Sequence, residues 1–160
     1  MPPIISIVGK SGSGKTTFIE RLIPELKNRG YKIGTIKHTY HNFEFDKPGK
    51  DSWRHKRSGA DTVIIASDNK LSMVKDIDSA ALDDLKPYFK EMDILITEGY
   101  KNDNKPKIEI IRSGRSTVPL NLKPEERMAL VTDTDVGMDV PRFGLEEIAK
   151  VADLIEKKFL

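Results

Sequence analysis

The stretch Gly9-Lys10-Ser11-Gly12-Ser13-Gly14-Lys15-Thr16-Thr17 constrains this chain more than any other, because it carries the spacing G-x-x-x-x-G-K-[ST] at Gly9, Gly14, Lys15 and Thr16. A polyphosphate brings several negative charges to one place. A chain holds them best with backbone N–H groups turned into one concavity, a helix N-terminus aimed at them and an ammonium as a point charge. Glycines let the backbone bend that way; Lys15 would reach the β- and γ-phosphates, and the Thr16 hydroxyl would ligate Mg²⁺. The motif has meaning only if it leaves a buried strand and opens a helix. Upstream, Ile4-Ile5-Ser6-Ile7-Val8 is a β-branched run of the kind shown by a strand covered on both faces. Downstream, Phe18, Ile19, Leu22, Ile23 and Leu26 recur at helical spacing, with Gly30 as a stop. Pro24 falls inside that helix and predicts a kink or a loosened turn, at about 3 kcal/mol for an interior position.

The 160 residues suit a single domain, a nucleotide-binding unit spanning 1–160. The absence of cysteine excludes disulfide frameworks, thiol catalysis and cysteine-based metal sites. No apolar run is long enough to span a bilayer, which leads to the expectation of a cytoplasmic protein. A formal charge of +2, with Lys/Arg evenly mixed with Asp/Glu, gives no electrostatic reason to expect nucleic acid or membrane as a partner. The basic stretch from Lys101 to Lys107 reads as a solvated loop.

Along the chain, residues 32–37 read as a second strand, followed by a long polar stretch to Asp51 of the kind that is usually functional. Phe43 and Phe45 alternate there as if part of it pairs as an edge strand. Asp51 or Ser52 caps a short helix through Trp53 and Arg57, ended by Gly59. Residues 62–66 read as a buried strand, with residues 71–74 as its hairpin partner. Asp78 or Ser79 caps a helix through Leu82, Leu85 and Phe89. Residues 93–98, 107–112 and 128–132 are further strands, and an amphipathic helix runs from about Leu145 to the end. This alternation predicts an α/β fold, a single-domain P-loop NTPase with a mostly parallel sheet flanked by helices and an added hairpin.

In such a sheet the ligand sits beyond the carboxyl ends of the strands, which sorts the acids. Asp93 and Glu98 open and close one strand, roughly 16 Å apart. Only Glu98 is at the phosphate end, where it could hold the metal's water shell or orient an attacking water, with Gly99 allowing close backbone approach. Asp46-Lys47-Pro48-Gly49 has the D-x-x-G form of nucleotide switches, and Asp46 could reach Mg²⁺. The histidines, His38, His41 and His55, make no recognisable metal pattern. The guanine-reading N-K-x-D sequence is missing, since Asn69-Lys70-Leu71-Ser72 fails at the aspartate. Asp133, with Asp135 as substitute, is the alternative: one carboxylate there could accept from both guanine N1–H and its exocyclic amine.

Together these blocks resemble the MobB proteins of molybdenum-cofactor biosynthesis. The resemblance covers nearly the whole chain and rests on residues 9–17, Lys37-His38, residues 46–52 leading into 54–61, Glu98-Gly99-Tyr100-Lys101 and Thr132-Asp133. Ser58 stands where that family usually has alanine. The resemblance implies GTP and Mg²⁺ as cofactors, slow GTP hydrolysis and a homodimer. It also implies partnership with the MobA-like guanylyltransferase that joins GMP to molybdopterin, and contact with molybdopterin itself. It carries Gly12, Gly14, Lys15, Thr16 and Thr17 over as phosphate and magnesium contacts; with the readings above, the expected nucleotide-binding set is Gly9, Ser11, Gly12, Ser13, Gly14, Lys15, Thr16 and Thr17, with Gly99 and Asp133. Lys15, Glu98 and Asp46 become the catalytic residues, and Thr16, Asp46 and Glu98 the metal-facing ones. Lys10 stands where some dimeric P-loop proteins keep a lysine that reaches a partner's nucleotide.

Two other classes of function use the same loop. A small-molecule kinase would draw on Arg54, Arg57, Arg112 or Arg115, though no lid segment with clustered arginines is apparent. An interaction module with a vestigial loop would have little reason to keep Lys15 and Thr16. No arginine finger is identifiable from sequence, so slow turnover is expected.

Overall fold

The computed structural model describes residues 1–39 and 43–160. In chain order its elements are β1 (Ile4–Val8), α1 (Lys15–Asn28), β2 (Ile33–Lys37), α2 (Asp51–Arg57), β3 (Thr62–Ser67), β4 (Lys70–Lys75), α3 (Leu82–Leu85), β5 (Ile94–Glu98), β6 (Lys107–Ile111), β7 (Arg127–Thr132), β8 (Arg142–Phe143) and α4 (Ile148–Phe159). They form two compact units, one of residues 1–39 and 86–160, the other of residues 40–85.

The larger unit is built on a six-stranded sheet in the order β2-β5-β1-β6-β7-β8, and every pairing in it is parallel. Strands β1, β6 and β7 are buried along their whole length, their mainly Ile/Val/Leu residues covered on both faces and their few polar ones, Ser6, Lys107, Glu109, Arg127 and Thr132, buried with them. Helix α1 buries Phe18, Ile19, Leu22 and Leu26, and α4 buries Ile148, Val151, Ala152 and Ile155, all in one apolar core with the sheet. Each of these side chains larger than alanine contributes about 1.5–3 kcal/mol by leaving water. Arg29, the C-cap residue of α1, joins the two helices, donating to Glu25 of α1 at 2.9 Å and to Asp153 of α4 at 2.7 Å. The strand order changes direction at β1, with β2 and β5 on one side and β6, β7 and β8 on the other. The crevice at the carboxyl end of β1 is where such sheets bind ligands.

Helix α1 continues through Pro24 as one element. Pro24 and Glu20, whose carbonyl loses its intrahelical donor, both lie on the exposed face, so water can satisfy that carbonyl. Lys107 corrects the reading of 101–107 as a solvated loop. It is fully buried, and its ammonium donates to the carbonyls of Asp103 and Lys105 and to Glu126 at 3.0 Å. A second buried pair lies beside it: Arg127 Nε donates to Glu109 at 2.9 Å, while Glu109 also accepts from the Leu120 N–H at 2.6 Å. Helix α4 begins at Ile148, later than Leu145, and β8 adds a two-residue edge strand too short to read in the sequence.

The smaller unit holds α2 and the antiparallel pair β3–β4, whose register runs from Thr62↔Lys75 to Ser67↔Lys70 as the hairpin expectation required. The expectation that β3 is buried fails: apart from the half-buried Val63 its residues are exposed, because the pair forms its own two-stranded sheet. Residues 43–45 form no strand, against the expectation that Phe43 and Phe45 alternate along an edge strand; His41 lies outside the described residues. The helix expected from Ser79 to Phe89 is one turn, α3, followed by a 3₁₀ turn at Lys86–Phe89. Pro87 lies where a continuous helix would need its N–H.

Candidate functional site

The loop between β1 and α1 turns sharply over the end of β6. Gly9 has φ +149°, and a Cβ there would stand 2.5 Å from the Ile110 carbonyl oxygen and 2.7 Å from Ser13 Oγ, so only glycine fits. Gly12, at φ +72°, and Gly14, at φ +94°, also take left-handed conformations that disfavour a side chain. Helix α1 starts at Lys15, and its first intrahelical bond runs from the Phe18 N–H to the Gly14 carbonyl at 2.9 Å. The N–H groups of Lys15, Thr16 and Thr17 are therefore left at the helix N-terminus, where they favour an anion. Ser13 Oγ is buried without a hydrogen-bond partner, the one side-chain polar atom of that kind among the described residues.

Lys15 folds back over the loop and donates to the Gly9 carbonyl at 3.1 Å and the Lys10 carbonyl at 2.9 Å. Burial holds its ammonium below the usual lysine range; the Glu98 charge works against that, and the Lys37 charge adds to it. Thr16 Oγ1 donates to Glu98, 3.0 Å from Oε1 and 3.1 Å from Oε2. Glu98 ends β5, paired in register with Ile7 of β1 and Lys37 of β2, so three parallel strands deliver it to the start of α1. Gly99 N–H donates to the Ile7 carbonyl at 3.1 Å and brings the chain against His38, whose ring lies 4.5 Å from that of Tyr100. Asp93, at the opposite end of β5, accepts from the Lys32 N–H at 2.7 Å, a structural role.

On the other side of β1, the turn after β6 approaches the loop. Lys10 Nζ donates to Ser116 Oγ at 2.8 Å. Asp133, just after β7, accepts from Ser113 N–H at 2.7 Å and from Ser113 Oγ at 3.0 Å, and the first of these bonds holds its carboxyl below the usual range. Asp135 accepts from Arg142 at 2.7 Å. A cleft of about 120 Å³ beside the loop is lined by Ser13, Gly14, Thr17, Arg21, Arg112 and Glu146, among others. Arg21 and Glu146 pair at 2.5 Å within that lining.

The structure thus brings Gly9, Ser13, Lys15, Thr16, Glu98 and Gly99 together, as their positions in the sequence suggested. Asp46 belongs to the smaller unit, where it accepts from the Lys47 N–H at 2.7 Å and lines a cavity with Phe45, Ser52 and Trp53. Ser113 and Ser116 had no signal in the sequence: they reach Asp133 and Lys10 only because the sheet sets the ends of β1, β6 and β7 side by side.

The residues fit a nucleoside triphosphate with its cation. A cradle that a Cβ would fill, an orphaned hydroxyl, open helix N–H groups and a lysine resting on carbonyls are all groups that an anion can satisfy. Thr16 and Glu98 offer the hard oxygen donors that Mg²⁺ takes.

Residues 4–133 match the family model of molybdopterin guanine dinucleotide synthesis protein B. The chain is 38% identical over 157 residues to a molybdopterin-guanine dinucleotide biosynthesis adapter protein of Haemophilus influenzae, covering 96% of this chain and 88% of that one. It is 32% identical over 161 residues to the protein of the same description from Escherichia coli, covering 97% and 92%. Among solved structures, that of Bacillus subtilis MobB superposes with a TM-score of 0.76 at 28% identity, covering 99% of this chain and 98% of that one.

Proposed function

The chain belongs to the MobB family, and from that premise we propose that it is a GTP-binding adapter in the assembly of the molybdopterin guanine dinucleotide cofactor, acting in the cytoplasm. The observation that carries the nucleotide half of this reading is the cradle of Gly9, Ser13 and Lys15 at the N-terminus of α1. Loop N–H groups and Lys15 take the phosphate oxygens, with Lys15 exchanging two neutral carbonyls for an anion. The Thr16 hydroxyl and Glu98 would hold Mg²⁺, which when bound supplies charge neutralisation across the β- and γ-phosphates. Asp133 is proposed to read guanine, using the acceptor capacity left beside its two bonds to Ser113.

Glu98 also has the position to orient a water for slow hydrolysis. The water oxygen bonds to the γ-phosphorus and the bond to the β–γ bridging oxygen breaks. Its electron pair stays on the GDP formed, and both water protons leave on the inorganic phosphate. The partner proposed for the adapter is the guanylyltransferase that joins GMP to molybdopterin.

A homodimer is part of the same proposal. It is supported by Ile64, Ile65 and Leu71 on the β3–β4 pair, which are 54%, 51% and 64% exposed on a two-stranded sheet too small to be stable alone. Sedimentation over a range of concentrations tests this, and a monomer at all of them would remove it.

The test of the function is titration of the purified protein with GTP and with ATP in the presence of Mg²⁺, followed by an assay of phosphate release and, with the guanylyltransferase and molybdopterin added, of guanylyl transfer. Preference for GTP, slow release and a faster guanylyl transfer are expected. Equal indifference to both nucleotides, or no effect on the partner reaction, would refute the reading.

A further inference from the structure

Resting on the nucleotide reading above, we propose that Arg115 is a phosphate-contacting residue, presented in cis by the turn after β6 to the β- and γ-phosphates of a nucleoside triphosphate in the 9–17 loop. The observation behind it is a close approach between segments far apart in sequence. A Cβ built on Gly12 would stand 3.1 Å from Nε and 3.3 Å from Cζ of Arg115, so the guanidinium lies directly against the backbone of the loop. Gly12 thus combines a positive φ with a close neighbour in the Arg115 guanidinium.

Arg115 is exposed, and its guanidinium makes no hydrogen bond or ion pair with a described residue. It adds a third cation to a loop that already carries Lys10 and Lys15 and whose own residues 9–17 include no acid. Like charges gathered on one concave backbone repel unless an anion joins them. Lys10 is committed to Ser116 and Lys15 to two carbonyls, which leaves the planar fork of Arg115 as the open donor set, the geometry best matched to phosphate oxygens.

The turn that carries Arg115 is fixed from both sides. The N–H groups of Arg115 and Ser116 donate to the Arg112 carbonyl at 2.9 and 3.0 Å, and Arg112 and Ser116 form a β-bridge. Asp133 holds Ser113 at one end, and the buried Glu109 holds the Leu120 N–H at the other. A guanidinium mounted on so constrained a turn loses little freedom on meeting its ligand. During hydrolysis, negative charge accumulates on the β–γ bridging oxygen, and an arginine held there in cis accelerates that step.

The experiment measures affinities for GTP, GDP and inorganic tripolyphosphate with Mg²⁺, and the rate of phosphate release, in the parent, Arg115→Ala, Arg115→Lys and the charge control Lys27→Ala at the far end of α1. Arg115→Ala is expected to weaken GTP and tripolyphosphate binding about tenfold or more and GDP binding less, lowering the GTP/GDP affinity ratio and slowing release. Arg115→Lys recovers part of the loss, Lys27→Ala matches the parent, and the melting temperature of every variant stays at the parent value. A parent that binds GTP together with an Arg115→Ala variant within about twofold of it, at an unchanged GTP/GDP ratio, overturns this proposal alone. A parent that binds neither GTP nor tripolyphosphate overturns the nucleotide reading and this proposal with it.

Discussion

Replacing Glu109 with glutamine leaves the shape of the β6–β7 junction almost unchanged and removes one charge from a buried pair. The Glu109 and Arg127 side chains are 1% and 4% exposed, so the guanidinium left behind has no access to water. The amide oxygen of the substituted side chain can still accept from the Leu120 N–H, but its NH₂ then faces the Arg127 Nε, donor against donor. Breaking a buried pair from one side costs about 3–5 kcal/mol. At about 2–4 °C per kcal/mol for a chain of this size, that is a fall of roughly 6–20 °C in Tm. The double variant Glu109→Leu, Arg127→Met removes both charges and keeps the volume, and it should recover most of the loss. Calorimetry or a circular-dichroism melt reads both. A Glu109→Gln protein melting within about 2 °C of the parent, or a double variant less stable than the single one, would refute the account of this pair.

Other consequences follow from particular residues. Pro24→Ala restores an N–H to the exposed Glu20 carbonyl, and with proline about 3 kcal/mol worse than alanine inside a helix, part of that difference should appear as a stabilisation of about 1–2 kcal/mol. A denaturant midpoint that does not rise would show that the turn is already relaxed around the proline. Lys15 has a lowered folded pKa, so the unfolded chain binds more protons in the window just below 10.5, and stability contributed through this residue rises with pH there. A bound triphosphate favours the charged ammonium, so GTP affinity should fall in that same alkaline window and binding should take up a proton. Calorimetric titration in two buffers of different ionisation enthalpy measures the uptake, and a flat affinity up to pH 10.5 would contradict it.

The site was legible where a short segment determines its own geometry. Gly9 to Thr17 needs only a strand before it and a helix after it, and Glu98 follows because a residue's position along a buried strand fixes which edge of the sheet it reaches. Legibility ended where tertiary structure decides. Lys107 and Glu109 look like surface charges, since nothing local announces the Glu126 and Arg127 partners that arrive with the next strand. Val63 to Ala66 looks like a core strand, because a run of apolar residues has the same composition whether a sheet covers it or leaves it open. Ser113 and Ser116 sit in a turn whose sequence gives no reason to single them out, and Arg115 stands out there only as one of four arginines that a kinase site could use. Only the parallel order β1-β6-β7 carries that turn to the 9–17 loop.

The most direct measurement is a crystal structure grown with a non-hydrolysable GTP analogue and Mg²⁺. The triphosphate should lie along the loop, within hydrogen-bond distance of the N–H groups at the start of α1, with Lys15 Nζ moved off the Gly9 and Lys10 carbonyls and onto phosphate oxygens. A loop that keeps Lys15 on those two carbonyls, with the analogue bound elsewhere or not at all, would contradict the account.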